Sequence, residues 1–285
     1  MGQNKINFSM GWKLFIINIY LKIKYTIIIM SNNYCIFLYS HSDYSDVWDL
    51  TFGQIYKYIN LDDVTIIFCV DKLNNYKIDN RIKVVYYDNI QIYTDRILTN
   101  IQNLNYGYIL FLHEDWVITS NYSNEYILKQ IEFMNKNDIL HIRSYKNYGD
   151  SNINPNIFHK EVNICNIPSD SGNFISLQPG LWEKNIFKEL YSIKANKLNI
   201  LESTSNTIFR SKYKNRFYYE LTSLNAQDSI MFPHIHAIGY GRWAMCNDKY
   251  NVMESLLLEY NIDKKIRGYY NRRTGEDIKK YNIYK

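Results

Sequence analysis

Proline and glycine are scarce in this sequence: four and 11 in 285 residues. That leaves little material for collagen-like or linker-rich segments. Four cysteines, Cys35, Cys69, Cys165 and Cys246, lie far apart and form no C-x-x-C pair. Their spacing argues against a disulfide framework or a zinc ribbon and points to a reducing, cytoplasmic compartment. Charge of one sign is also missing. Thirty-three basic residues against 28 acidic give +5, a small excess spread along the chain, which argues against a strongly basic nucleic-acid binder. There is no G-x-x-x-x-G-K-[ST] loop, no G-x-G-x-x-G after the first apolar segment and no G-x-S-x-G elbow. Nucleoside triphosphatase, dinucleotide-dependent and α/β-hydrolase readings therefore lose their usual support.

What is present is the mix of a folded protein, 46% hydrophobic and 21% charged, long enough for one or two domains with a large core. Asn, Ile and Tyr together make up roughly a third of the chain. Their A/T-rich codons mark this as genomic drift, so the many tyrosines do not by themselves argue for a stacking surface. Residues 12–29, WKLFIINIYLKIKYTIII, are the most apolar stretch, interrupted by Lys13, Lys22 and Lys24. The uninterrupted run falls short of the ~20 residues of a spanning helix, and no signal-peptide cleavage site follows. Residues 1–29 are expected to be an upstream extension or a basic amphipathic anchor at a membrane surface, with a transmembrane anchor as the third reading.

From Met30 the pattern is regular. YCIFLY (34–39), VTIIFCV (64–70), IKVVYY (82–87), GYILFL (107–112) and DILHIR (138–143) are short apolar runs bounded by polar residues, which predicts buried strands. Trp48, Phe52, Ile55 and Ile59 recur at helical spacing, predicting a helix over 45–59 with Asp43, Ser45 or Asp46 as cap. Further helices are predicted around 93–104 and 123–134. The order β-α-β-β-α-β-α-β, with continuous rather than alternating apolar strands, predicts a mostly parallel sheet covered on both faces. Ligands of such sheets sit at the carboxyl ends of the strands. Downstream, 173–178 reads as a strand, Pro179-Gly180 as a turn, and 182–191, 198–209 and 250–260 as helices. IHAIG at 235–239 reads as a strand, and the tail after Lys264 as mobile. A working region of 30–264 is expected, with halves 30–145 and 146–264 and a basic tail over 265–285.

The strongest local feature is YILFLHEDW, 108–116. A buried strand delivers adjacent carboxylates, Glu114 and Asp115, to the sheet edge. Burying such a pair costs several kcal/mol unless a cation compensates, and a divalent metal carrying a diphosphate would do so. His234 and His236 form an H-x-H pair whose spacing places both on one strand face, which suits metal ligation. The glycines of Gly239-Tyr240-Gly241-Arg242-Trp243 predict a tight loop, open to two readings: a turn alone, or a segment whose Arg242 would neutralise a diphosphate and whose Trp243 would pack on a sugar.

An apolar strand ending in an acidic pair, after a β-α-β-β-α unit, resembles the D-x-D region of GT-A glycosyltransferases. In some bacterial and giant-virus members the motif reads as an E-D pair. SLQPGLWEKNIFKEL, 176–190, resembles their acceptor-side segment, with Trp182 leading a helix. The resemblance spans about residues 34–245. It implies an α/β, Rossmann-like, mostly parallel central sheet flanked by helices, with a smaller acceptor-side subdomain. The activity implied is sugar transfer from a nucleotide-diphosphate donor, UDP favoured, to an acceptor hydroxyl of a glycan or similar molecule, with inversion. Ser40, His41 and Asp43 would line the nucleotide pocket, Asp71 the base or ribose, and Arg96 the nucleotide or diphosphate. Glu114 would contact sugar or ribose. Asp115, with His236 and His234, would hold Mn²⁺ or Mg²⁺. Glu202 would be the catalytic base, and Trp182 and Trp243 the acceptor platform. His113 stands where a strict D-x-D has its first Asp. Either Asp115 is then the main ligand, or the metal is dispensable. Two alternatives stay open: a non-catalytic nucleotide- or carbohydrate-binding protein, and a nucleotidyltransferase, for which SHSDYSD lacks the usual glycine-rich basic loop.

Overall fold

The computed structural model describes residues 34–145, 158–221, 228–239, 241–244, 250–271 and 276–278. The apolar segment 12–29 and Cys246 lie outside the described residues. Among the described residues, no helix is long and apolar enough to cross a membrane.

The chain builds a mixed α/β fold around a nine-stranded sheet ordered β3-β2-β1-β4-β9-β6-β10-β8-β7. The strands are β1 (Tyr34–Tyr39), β2 (Thr65–Val70), β3 (Lys83–Tyr86), β4 (Tyr108–His113), β6 (His141–Arg143), β7 (Phe158–His159), β8 (Ile164–Asn166), β9 (Gly180–Glu183) and β10 (Phe217–Glu220). β1, β2, β3 and β4 pair in parallel, as do β6 and β10; β9 is antiparallel to both β4 and β6, and β8 to both β10 and β7. Within this sheet only β8 and β9 run against the common direction, so the expected mostly parallel sheet flanked by helices is what forms.

Alternation along β1 shows how both faces are filled. Cys35, Phe37 and Tyr39 face a layer made by α2 (Tyr93–Ile101), α4 (Lys184–Ser192) and α5 (Leu198–Lys212), with Ile97, Phe187, Leu190, Leu201 and Phe209 in the same core. Tyr34, Ile36 and Leu38 face α1 (Ser45–Tyr58) and α3 (Asn124–Asn137), meeting Trp48, Phe52, Ile127, Ile131 and Met134. Each such large apolar side chain contributes about 1.5–3 kcal/mol by leaving water. A third core joins α1 to β5 (Trp116–Ile118), β11 (His234–His236), β12 (Ile238–Gly239), β13 (Arg242–Ala244) and α6 (Tyr250–Glu259). β5 pairs with β11, and β12, β13, β14 (Tyr269–Asn271) and β15 (Glu276–Ile278) form a separate small sheet.

Four expectations are corrected. First, α1 has no side-chain cap; instead His41 Nδ1 accepts the Asp43 N–H at 3.0 Å and caps a preceding 3-10 turn, Ser42–Tyr44. Second, 173–178 is not a strand. Its backbone is held by side chains one turn apart on α5. Glu202 accepts from Leu177 N–H at 2.6 Å, Asn206 from Ile175 N–H at 2.7 Å, and Arg210 donates to Ser171 O at 2.7 Å. Third, Gly180 opens a strand rather than closing a turn, because the slot between β4 and β6 takes Gly180–Glu183. The helix therefore begins at Lys184 and not at Trp182. Fourth, the first residues after Lys264 pack: a short helix, α7 (Lys264–Arg267), leads into β14, and Arg267 and Tyr269 are 4% and 5% exposed.

The tight strand slot yields a prediction. A Cβ on Gly180 would lie 2.6 Å from His141 Cε1 and 3.2 Å from Ile142 O. His141 has little room to yield, since its ring stacks on Trp182 at 3.5 Å. Gly180→Ala is expected to lose roughly 1–3 kcal/mol. Thermal unfolding checks this; an unchanged midpoint would contradict the packing described.

Candidate functional site

Because β1, β2, β3, β4 and β6 share a direction, their carboxyl ends emerge at one sheet edge. Two groups of functional side chains lie there. The first surrounds Asp71, just after β2. Its carboxylate accepts from Ser42 N–H and Oγ–H at 2.7 Å each and from Asn89 Nδ2 at 2.8 Å. Burial pulls its pKa up, but these donors and the nearby His41 hold it below the ordinary Asp value. His41 Nε2 meets Asn89 Oδ1 at 3.0 Å, and Arg96 donates to the backbone oxygens of Gln91 and Asn89 at 2.8 Å each while lying 5.2 Å over the Tyr87 ring. Arg96 is thus spent on shaping the 87–91 loop. Ser40 is fully buried: its Oγ accepts from Trp48 Nε1 at 2.8 Å and its carbonyl from Tyr87 OH at 2.9 Å. Asp43 projects outward, its side chain 72% exposed.

The second group lines a cleft of about 940 Å³, within the size range of small-molecule sites. It is lined by His113 at the end of β4, Asp115, Trp116 of β5, His236 of β11, Tyr44, Ile238 and Gly241, together with Ser176, Leu177 and Gln178, and with Lys197, Leu198, Asn199 and Glu202 around the start of α5. Tyr145, following β6, also lines it. The sheet edge has therefore brought Asp115, His236 and Glu202, 121 and 87 residues away from Asp115 in the chain, onto one cavity.

Asp115 Oδ2 and His236 Nε2 are 2.9 Å apart. The antiparallel pairing of β5 with β11, which sets His236 opposite Trp116, makes this contact. Glu114, beside it, points away from the cleft lining into the interior: it is 5% exposed, and its Oε2 has no hydrogen-bond partner. Burial first, and then the Asp115 charge, push its pKa well above the ordinary Glu value. Glu202 lines the same cleft, its Oε1 accepting from Leu177 N–H at 2.6 Å. Burial raises its pKa, against the lowering effects of that N–H, the Arg143 charge and the Ser176 hydroxyl. A carboxylate held by one oxygen with a raised pKa suits a general base.

Other candidate residues are placed elsewhere. His234 is 1% exposed, and its Nδ1 is bonded to Phe232 O at 2.6 Å; Trp116 and Tyr145 pack on its ring. It stays outside the cleft lining. Trp182 and Trp243 are 0% and 1% exposed and belong to hydrophobic cores, so neither offers a face to a sugar. Arg242 stands opposite Gly239 in the β12–β13 pair, next to a lining residue but not itself one. Sequence reading passed over Tyr44, Trp116, Tyr145, Lys197 and Gln178. Trp116 stood in the quoted HEDW motif and was the one with a local signal.

Asp115 and His236 are adjacent oxygen and nitrogen donors at an open cavity, which fits a divalent cation that takes its remaining positions from phosphate and water. Among the described residues no group of three His, Cys, Asp or Glu gathers to hold a metal alone. A cation here would depend on a ligand's phosphates.

No protein-family model matches the chain, and no curated protein matches it. Among solved structures, TarS 1–349 of S. aureus is similar at 13% identity and a TM-score of 0.42, over 69% of this chain and 61% of that one. A mannosyltransferase, PcManGT of Pyrobaculum calidifontis, in complex with GDP-Man and Mn²⁺, is similar at 5% identity and 0.42, over 67% of this chain and 55% of that one. A cytidylyltransferase of Leptospira borgpetersenii is similar at 11% identity and 0.40, over 72% and 81%. The chain thus spans less than two thirds of the first of these. Likenesses of this size decide neither family nor chemistry.

His113 supplies a pH prediction. Burial, only partly offset by the Asp115 charge, pushes its pKa down to about 4. Between about pH 6.5 and 4 the unfolded chain binds a proton there that the folded chain refuses, so His113 costs stability as pH falls through that window. Relative to His113→Gln, the wild type should lose about 1–3 kcal/mol between those values. Urea unfolding at both pH values, on both proteins, measures this. Parallel stability profiles would contradict it.

Proposed function

We propose that this chain is a glycosyltransferase moving a sugar from a nucleotide-diphosphate sugar, UDP favoured, to an acceptor hydroxyl, with inversion. The observation that carries the reading is one: a metal-competent Asp115–His236 pair and a raised-pKa carboxylate, Glu202, line a single cleft. The cleft lies at the carboxyl edge of the parallel strands, where α/β sheets bind ligands. The Asp71–Ser42–Asn89–His41 network at the ends of β1 and β2 would receive the base or ribose. Asp115 and His236 would hold a divalent cation, Mn²⁺ or Mg²⁺, which when bound neutralises diphosphate charge. Glu202 takes the acceptor hydroxyl proton as that oxygen bonds to the anomeric carbon. The bond from that carbon to the diphosphate oxygen breaks, and the diphosphate leaves with the electron pair. Trp116 and Tyr145, both partly exposed at the cleft, offer ring faces for the sugars in place of Trp182 and Trp243. A glycan hydroxyl is the acceptor this wall suits.

A second reading is a nucleotide- or carbohydrate-binding protein without catalysis. One contact favours it: Glu202 is already committed to the Leu177 N–H, a structural duty that needs no chemistry.

Thermal-shift titration of the full chain with UDP and UDP-sugars, with and without Mn²⁺, tests the donor site. At a hundred times Kd, UDP should add about 2.7 kcal/mol of stability, with Mn²⁺ required and Asp115→Asn abolishing the shift. Glu202→Gln should keep the shift and lose at least 100-fold in sugar transfer or donor hydrolysis. Donor turnover unchanged in Glu202→Gln would favour another base. Nucleotide binding with no turnover in the wild type would favour the binding protein.

A further inference from the structure

The proposed chemistry leaves one buried cation unexplained. Arg267, at the end of α7, is 4% exposed. A guanidinium does not deprotonate in proteins, so burying one is costly unless its donors are matched. Here they are matched from distant parts of the chain. Nε donates to Asp46 Oδ2 at 2.9 Å and a terminal nitrogen to Asp46 Oδ1, 221 residues away at the start of α1. The other terminal nitrogen reaches Gly241 O at 3.4 Å. The guanidinium carbon lies 4.8 Å from the Tyr44 ring centre and 5.9 Å from that of Trp243.

Two of these partners, Tyr44 and Gly241, line the cleft beside Asp115 and His236. Arg267 itself does not line it. It stands directly behind the wall and ties three pieces together: the turn after β1, the β12–β13 turn and the C-terminal segment. Gly241 has φ +75°, a backbone conformation that side chains resist, and Arg267 donates to its carbonyl.

We propose that Arg267 is a positioning residue of the cleft: its fork holds Tyr44 and Gly241 as the wall on which a nucleoside diphosphate and its cation seat, and so makes the C-terminal segment part of the site. This rests on the donor-site reading above. A rigid wall lowers the ordering cost of binding, so its loss weakens ligand affinity even where the fold survives. A mere fold staple behaves otherwise: its loss lowers the unfolding temperature and the fraction of competent protein, and the molecules that remain folded bind as before.

Calorimetric titration of UDP in Mn²⁺, on the full chain, separates the two through Kd and stoichiometry. Arg267→Met is expected to raise Kd at least tenfold with stoichiometry unchanged. Arg267→Lys keeps the charge but cannot span both Asp46 oxygens and Gly241 O, and is expected to fall between Met and wild type. If Arg267→Met does not fold, Arg267→Lys and Asp46→Asn carry the test. A Kd within twofold of wild type in the folded variants, with only stoichiometry or unfolding temperature reduced, overturns the proposal and leaves the donor site standing. No binding of UDP with Mn²⁺ by the wild type sinks the donor-site reading, and this proposal with it.

Discussion

A strand buried on both faces and paired in parallel with its neighbours must leave the sheet at the same edge they do. β1, β2 and β4 are such strands. Their residues are almost wholly enclosed, and Tyr39 sits level with both Cys69 and His113. The backbone groups of these strands are satisfied by their sheet neighbours, β3 and β9 included, so register and direction are not free to vary. As a consequence Ser40, Asp71 and Glu114-Asp115 end up side by side, though the sequence separates them by tens of residues. The Asp71 network and the place of Asp115 at the cleft follow from that constraint, and the separate pairing of β5 with β11 then brings His236 to Asp115.

Electrostatics then divides the acids at this edge into different jobs. Asp71 is surrounded by donors and held ionised, a fixed acceptor. Asp115 faces the cavity and meets an imidazole. Glu114, one residue earlier, is turned into the interior without a hydrogen bond to Oε2, and burial favours its neutral form. Adjacent carboxylates that cannot both be ionised cheaply in a low-dielectric site are separated in this way. Glu202 is raised more modestly and keeps contact with the cavity. Arg143 and Arg267, both buried and neither lining the cleft, supply positive charge to Glu202 and Glu114 respectively.

The first half of the fold was legible in the sequence because local signals there agree with the tertiary answer. Apolar runs bounded by polar residues became β1 to β4 within a residue or so, and the Trp48–Phe52–Ile55 stripe became α1. The HED motif was legible as a strand end, and Asp115, His236 and Glu202 do meet at one cavity. The second half was harder to read. Residues 173–178 have strand-like composition, yet their hydrogen-bond partners are side chains on α5, a choice no local pattern encodes. Trp182 looked like a helix leader until β4 and β6 claimed its backbone. Trp243 and His234 carried residue types that suit sugars and metals, but burial, not residue type, determines availability.

By itself, the sequence determined which segments are buried and which strand ends carry acids. Hydrophobic periodicity is a property of neighbours in the chain, and burial of both sheet faces leaves a continuous apolar signature. Only the tertiary structure decided which acids face the cavity, which aromatic rings line it, and that Arg267 stands behind its wall. Those outcomes depend on pairings across 121 residues for Asp115 with His236 and 221 for Asp46 with Arg267. At such distances the geometry of packed strands and helices, not local chain preference, sets which side chains touch.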